Sequence, residues 1–201
     1  NQVDFGGVWF FDKLQGIAVA GDQSVIQTND GGQTWSALSS ITTGNTSTAG
    51  DNIQSLQFTS RKTGWILRAG VPYKTTDGGA SWWVPAASLR LSEQVAIHFL
   101  DDNTGWSLSS YGRGLYQTQD GGGQWKKLTP IADTDLRSIA MQTSTKGVVG
   151  GSRGTIWRTT DGGVTWLATA TDSTSTITDL KFATADIGWA MSEVGELFKT
   201  T

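Results

Sequence analysis

The chain has 201 residues, a formal net charge of −3 and charged side chains at only 16% of positions. That balance gives no overall pull toward nucleic acid or anionic lipid. Cysteine is absent, which excludes disulfides, zinc–thiolate centres and a cysteine nucleophile and is compatible with an oxidising, exported compartment as well as with the cytoplasm. No apolar run approaches the roughly 18 residues of a membrane helix, and the first residues lack a signal-peptide layout, so no direct membrane insertion is expected.

In chain order, the first segment (about 1–35) has an apolar strand ending at Phe10. A second strand, Gly16-Ile17-Ala18-Val19-Ala20, follows, and the segment closes on Thr28-Asn29-Asp30-Gly31-Gly32-Gln33-Thr34-Trp35. The second (about 36–82) opens with a Ser/Thr-rich stretch, Ser36 to Asn52, in which Asn45-Thr46-Ser47 fits a glycosylation acceptor. It then repeats the layout with Phe58, Gly64-Trp65-Ile66-Leu67 and Thr75-Thr76-Asp77-Gly78-Gly79-Ala80-Ser81-Trp82. The third (about 83–125) carries Phe99, Gly105-Trp106 and Thr118-Gln119-Asp120-Gly121-Gly122-Gly123-Gln124-Trp125. The fourth (about 126–166) carries Met141, Gly147-Val148 and Thr159-Thr160-Asp161-Gly162-Gly163-Val164-Thr165-Trp166. The fifth (about 167–201) has Phe182 and Gly188-Trp189 and begins another copy at Phe198-Lys199-Thr200-Thr201.

The aspartates step by 47, 43 and 41 residues, the mark of a repeat architecture. Short apolar runs punctuated by Gly, Asp and Thr do not suit helices. Three strands, an Asp turn and a fourth strand make a unit the size of one propeller blade. The expected fold is therefore all-β: a β-propeller of four-stranded antiparallel blades, first strand innermost, forming a single domain over 1–201. About five repeats are present, and the pattern reads as incomplete at both ends and part of a larger ring.

The Thr-x-Asp-Gly-Gly phrase is a turn signal, with Gly supplying φ > 0 and Asp accepting from nearby backbone N–H groups. Asp30, Asp77, Asp120 and Asp161 are read as structural, and Trp35, Trp82, Trp125 and Trp166 as largely buried anchors. Their spacing sends each carboxylate to a different unit, which does not suit the six to eight converging oxygens of calcium. The single His98 lies in the alternating run Val95-Ala96-Ile97-His98-Phe99 and reads as a solvent-side or interface residue. No metal, cofactor or catalytic residue is expected.

Asp-Gly-Gly-x-Thr-Trp after a Gly-Trp strand resembles the Asp-box propellers, above all the photosystem II stability/assembly factor family and its bacterial relatives. Gly188-Trp189 with Gly195-Glu196-Leu197-Phe198-Lys199-Thr200-Thr201, and Gly64-Trp65 with Tyr73-Lys74-Thr75-Thr76-Asp77-Gly78-Gly79, carry that resemblance. It implies a seven-bladed propeller exported to a periplasm, thylakoid lumen or extracellular space and acting as a non-enzymatic assembly platform. Sialidases, xyloglucanases and sortilin-type receptors carry the same boxes.

Binding is expected on the face opposite the Asp boxes, where the second-to-third loops lie. Arg68, Arg113 and Arg153 fall on those loops, with Tyr111 and Glu193. Three guanidiniums would suit a carboxylate or an acidic segment of a protein partner, such as a subunit of a membrane complex. Two alternatives stand beside this. A glycosidase would draw on the three arginines with Tyr111 and Glu193, although the chain has only Glu93, Glu193 and Glu196. A carbohydrate-binding propeller would stack sugars on Tyr111 or Trp83.

Overall fold

The computed structural model describes residues 5–41, 53–85, 94–109, 114–128, 131, 135–184 and 187–200. They form two compact units, Asn1–Glu93 and Gln94–Thr201. Asn45, Glu93, Tyr111 and Arg113 lie outside the described residues.

In the first unit β1 (Phe5–Phe10), β2 (Gly16–Ala20), β3 (Ser24–Thr28) and β4 (Ser36–Ser40) make one antiparallel sheet in chain order. A three-stranded sheet follows, β5 (Ile53–Phe58), β6 (Gly64–Arg68) and β7 (Val71–Thr75). Its fourth-strand position is an isolated antiparallel bridge, Lys74 with Trp83.

The second unit holds three sheets. The first runs β8 (Gln94–Phe99), β9 (Gly105–Ser109), β10 (Gly114–Thr118) and β11 (Lys126–Lys127). The next is β12 (Leu136–Met141), β13 (Gly147–Gly151), β14 (Thr155–Thr159) and β15 (Leu167–Ala170). The last is three-stranded, β16 (Ile177–Phe182), β17 (Gly188–Ser192) and β18 (Leu197–Lys199). The blade expectation holds for three of these five sheets in full; in the other two, three strands are formed among the described residues.

First strands sit against first strands: β1 on β5 in one unit, and β12 between β8 and β16 in the other. The second strands β2, β6 and β9 are buried along their whole length, as strands covered on both faces must be. Ile17, Val19, Phe58, Ile66 and Trp82 centre the core of the first unit. Trp106, Leu108, Leu115, Ile139 and Val149 centre that of the second. Every first strand is bulged near its start, between Phe5 and Gly7, Ile53 and Ser55, Gln94 and Ala96, Leu136 and Ser138, and Ile177 and Asp179.

The six-residue step from Phe or Met to Gly has a physical cause. Phe10 pairs with Gly16, Phe58 with Gly64, Phe99 with Gly105 and Phe182 with Gly188 across the first hairpin. Each ring lies over the place a glycine side chain would occupy: a Cβ on Gly64 would sit 2.6 Å from Phe58 Cδ1. An aromatic ring covering a strand glycine restores the apolar burial that glycine forfeits.

The Asp boxes form four near-identical turns. In each, the first two glycines have φ between 71° and 96°, a region closed to most side chains. Asp77 Oδ1 accepts from Thr75 Oγ1 (2.8 Å) and Ser81 N (2.9 Å), and Oδ2 accepts from Ser81 Oγ (2.6 Å). Asp30 and Asp161 repeat this with Thr34 and Thr165. Asp120 makes the Oδ1 bonds, but Gln124 stands where the other boxes place a hydroxyl. These hydroxyl and N–H donors hold Asp30 and Asp161 down to about 2. At Asp77 burial pushes upward, yet the Ser81 and Thr75 donors still keep the carboxyl below its usual value.

The buried member of the box is the threonine. Thr28, Thr75, Thr118 and Thr159 are at most 2% exposed, whereas Asp77, Asp120 and Asp161 are exposed and Asp30 is half-buried. Each threonine hydroxyl accepts from the Asp N–H and from the second-glycine N–H while donating to the carboxylate, as Thr75 does with Asp77 and Gly79. The box tryptophans also depart from expectation. Trp82 is 7% exposed and Trp35 is 36% exposed, with Trp125 and Trp166 half-buried. Fully buried are Trp65 and Trp106 of the second strands, because a central strand is covered on both faces while a box lies at a sheet corner. At about 25 cal/mol per Å² over roughly 150–250 Å², each such ring supplies on the order of 4–6 kcal/mol of transfer free energy.

Each box is pinned to the first-to-second loop of its own sheet: Gly31 N donates to Leu14 O, Gly78 N to Lys62 O, Gly121 N to Asn103 O and Gly162 N to Thr145 O. One end of each of the first four sheets is thereby closed by backbone hydrogen bonds, and the second-to-third loops emerge at the other end. His98, half-buried, joins first strands as an interface residue through its Nε2 contact with Met141 O at 2.9 Å.

Candidate partner-binding rim

Among the described residues, the second-to-third connections at the open end are tight hairpins. In the first unit, Gln23 has φ 74° and its N–H donates to Ala20 O. Asp22 is absorbed by its own turn: Oδ1 accepts from Ser24 Oγ (2.6 Å) and Ser24 N (3.0 Å), which lowers its pKa. In the next hairpin Ala69 and Gly70 both take positive φ, 48° and 74°, as a two-residue turn matched to strand twist requires. Gly70 N donates to Gln54 Oε1 at 2.7 Å.

Arg68 does not sit where the sequence reading placed it. It is the last residue of β6, opposite both Ile53 and Val71, and only 3% of it is exposed. A loop-adjacent position looks like surface in a sequence. Here, however, a central strand continues through Arg68 before the chain turns, so its side chain is covered by sheet neighbours on both sides.

In the second unit the hairpin Ser152–Gly154 is a single 3₁₀ turn with Arg153 at φ 58°, ψ 33°. Four backbone hydrogen bonds fix it: Ser152 N to Asp135 O, Thr155 N to Ser152 O, Gly154 N to Ser175 O and Thr171 N to Gly154 O. Arg153 itself is exposed. Its carbonyl accepts from Thr155 Oγ1. Beside it, Asp135 pairs with Arg137 at 2.5 Å.

Glu193 occupies the equivalent hairpin of the last sheet. Its N–H donates to Thr176 O and its Oε1 accepts from Thr176 N at 3.2 Å. Glu196 Oε2 accepts from Ser192 Oγ at 2.9 Å and from Ser173 Oγ. Both glutamates thus tie the hairpin to the segment that leads into β16. Among the described residues no group of three or more His, Asp or Glu is placed to hold a metal ion. The box carboxylates point into separate turns.

Arg153 and Glu193 stand on matching hairpins of consecutive sheets, while Arg68 is interior. The sequence reading missed the box threonine, whose regular Thr-x-Asp spacing was visible, and the pinning of the Arg153 turn, which depends on partners as distant along the chain as Asp135 and Ser175.

Comparison with known proteins places this geometry. The family profile "Photosynthesis system II assembly factor YCF48" matches residues 2–130. The photosystem II assembly lipoprotein Ycf48 of Synechococcus sp. (strain CC9902) is 27% identical over 133 residues, covering 63% of this chain and 39% of the relative. The solved structure "YCF48 bound to D1 peptide" is 21% identical with a TM-score of 0.71, covering 99% of this chain and 63% of that one. YCF48 from Cyanidioschyzon merolae is also 21% identical, with a TM-score of 0.70 and coverage of 99% and 67%. The chain thus spans about two fifths of the curated relative's length, and the likeness to the two structures is one of fold.

Proposed function

The chain belongs to the photosystem II assembly factor YCF48 family, and from that premise we propose that it is a non-enzymatic assembly platform that binds a partner protein. Its binding face is the rim opposite the Asp boxes, and its ligand is an extended segment bearing a carboxylate. The observation that carries the reading is Arg153: an exposed guanidinium on a turn held by four backbone hydrogen bonds. A donor fork presented on a rigid turn loses little freedom on binding, and a bidentate pair with a carboxylate fixes orientation as well as energy. Tyr111 and Arg113, on the matching loop one sheet earlier, complete the proposed contact set. Arg68 is left out because it is buried.

Two relatives support the choice of partner. One solved relative is described as bound to a D1 peptide, and the curated relative is described as a photosystem II assembly lipoprotein. By that analogy the partner of this chain is a segment of a photosystem II subunit, and its compartment is an exported one. The glycosidase reading needs two carboxyl groups facing across a cleft, and Glu193 and Glu196 are engaged by Thr176 N–H and the Ser192 hydroxyl.

The test is capture of a carboxylate-bearing peptide from the partner by the wild type and by an Arg113→Ala, Arg153→Ala double variant. We expect binding to weaken about tenfold and to lose part of its salt dependence, with the melting temperature unchanged. Equal affinity and equal salt slope in the double variant would remove the rim from the mechanism.

A further inference from the structure

The third Asp box departs from the other three at two neighbouring positions. The aspartates of the first, second and fourth boxes each take a side-chain hydroxyl on Oδ2: Thr34 at 2.5 Å, Ser81 at 2.6 Å and Thr165 at 2.5 Å. In the third box that residue is Gln124, and Asp120 keeps the Oδ1 bonds, from Thr118 Oγ1 and Gln124 N, both at 2.8 Å. Among the described residues, no side-chain hydroxyl reaches Asp120 Oδ2. The residue before Gln124 is Gly123, where the other boxes carry Gln33, Ala80 and Val164. A Cβ there would stand 3.1 Å from Asp120 Oδ2, so glycine leaves that oxygen uncovered on this side.

A cavity of about 350 Å³ opens over the carboxylate, lined by Gln117, Gln119, Asp120, Gln124, Trp125 and Lys126. Its size lies at the lower end of the roughly 300–1,000 Å³ of small-ligand sites. Gln117 stands opposite Lys126 across β10 and β11. Trp125 is half-buried, its ring held edge-on against Phe99 with centroids 5.9 Å apart. Three long amides meet at this box alone. The first box has amides at two of the three places, Gln27 and Asn29, but its third place is Thr34, which occupies the carboxylate itself.

We propose that the third box binds a neutral oligosaccharide of hexose units. One sugar hydroxyl donates to Asp120 Oδ2, in the place that Thr34, Ser81 and Thr165 take in their own boxes. Each amide offers both donors and an acceptor, which suits a ligand whose every hydroxyl is both. Trp125 supplies an apolar surface for the C–H side of the sugar ring. Charge excludes the other classes of ligand: Lys126 repels a cation and Asp120 an anion. A Ser- or Thr-bearing peptide brings one hydroxyl at a time, whereas three amides and a carboxylate hold several together. The cavity lies at the box end of its sheet, away from the second-to-third loops, so the proposal stands independently of the rim and its partner.

Isothermal titration of the intact protein with cellotetraose, maltotetraose and mannotetraose, each up to about 10 mM, tests this. At least one is expected to bind with a dissociation constant below about 1 mM, unchanged between low and high salt. Gln124→Thr restores the hydroxyl of the other boxes. That variant should melt at or above the wild-type temperature while its affinity for the sugar falls about tenfold or more. Gln119→Ala removes one exposed amide and should weaken binding severalfold without a change in melting. Failure of all three sugars to bind the folded protein would overturn the proposal, as would wild-type affinity in either variant. Capture of a Ser/Thr-rich peptide in place of the sugars would assign the cavity to a protein ligand and overturn it too.

Discussion

Replacing Thr75 by Val tests the account of the box most directly, because it keeps shape and removes one hydroxyl. That hydroxyl accepts from Gly79 N at 2.9 Å and Asp77 N at 3.3 Å and donates to Asp77 Oδ1 at 2.8 Å. Thr75 has no exposed surface and Gly79 is buried, so water cannot take the place of the lost acceptor. A buried donor left unmade costs about 1–3 kcal/mol. We therefore expect about 2 kcal/mol for Thr75→Val, a fall in melting temperature of roughly 4–8 °C for a protein of this size. Asp77→Ala deletes as many bonds but exposes them to solvent, which restores most of their energy; about 1 kcal/mol is expected. Thr75→Ser keeps the hydroxyl and should recover most of the loss. Urea unfolding of the three variants, read by near-UV circular dichroism of the adjacent tryptophans, measures the order. If Asp77→Ala proved more damaging than Thr75→Val, the box would be held by its carboxylate and the reasoning would fail.

Gly64→Ala should destabilise by about 1–3 kcal/mol, because the new methyl group would lie 2.6 Å from the Phe58 ring; a double variant that also shortens Phe58 to Leu should recover part of this in the same urea assay. The depressed carboxyls of Asp12, Asp30 and Asp161, each near 2 against an unfolded value of 3.8, give a stability contribution that is complete above about pH 4. It is lost as pH falls through 2, so urea midpoints between pH 5 and 7 should show no pH dependence from these three carboxyls, and the midpoint should fall below about pH 4. Burial lowers the His98 pKa from 6.5, so its contribution is present above that value and declines as pH falls below it. His98→Gln should flatten this part of the profile, and an unchanged slope between pH 6.5 and 5 would assign it elsewhere.

The repeat, the strand order within a blade and the Asp turns were legible in the sequence because they depend on residues close along the chain. Glycine pairs needing positive φ, an acceptor side chain beside them and apolar runs of five residues are local requirements, and they recur at each of the four boxes. Which side chains are buried was decided by packing between sheets. Trp65 and Trp106 vanish from solvent while Trp35 does not, since burial depends on what covers a sheet and not on which residue repeats. Arg68 shows the same limit: its neighbours in sequence belong to a turn, but its neighbours in space are two strands.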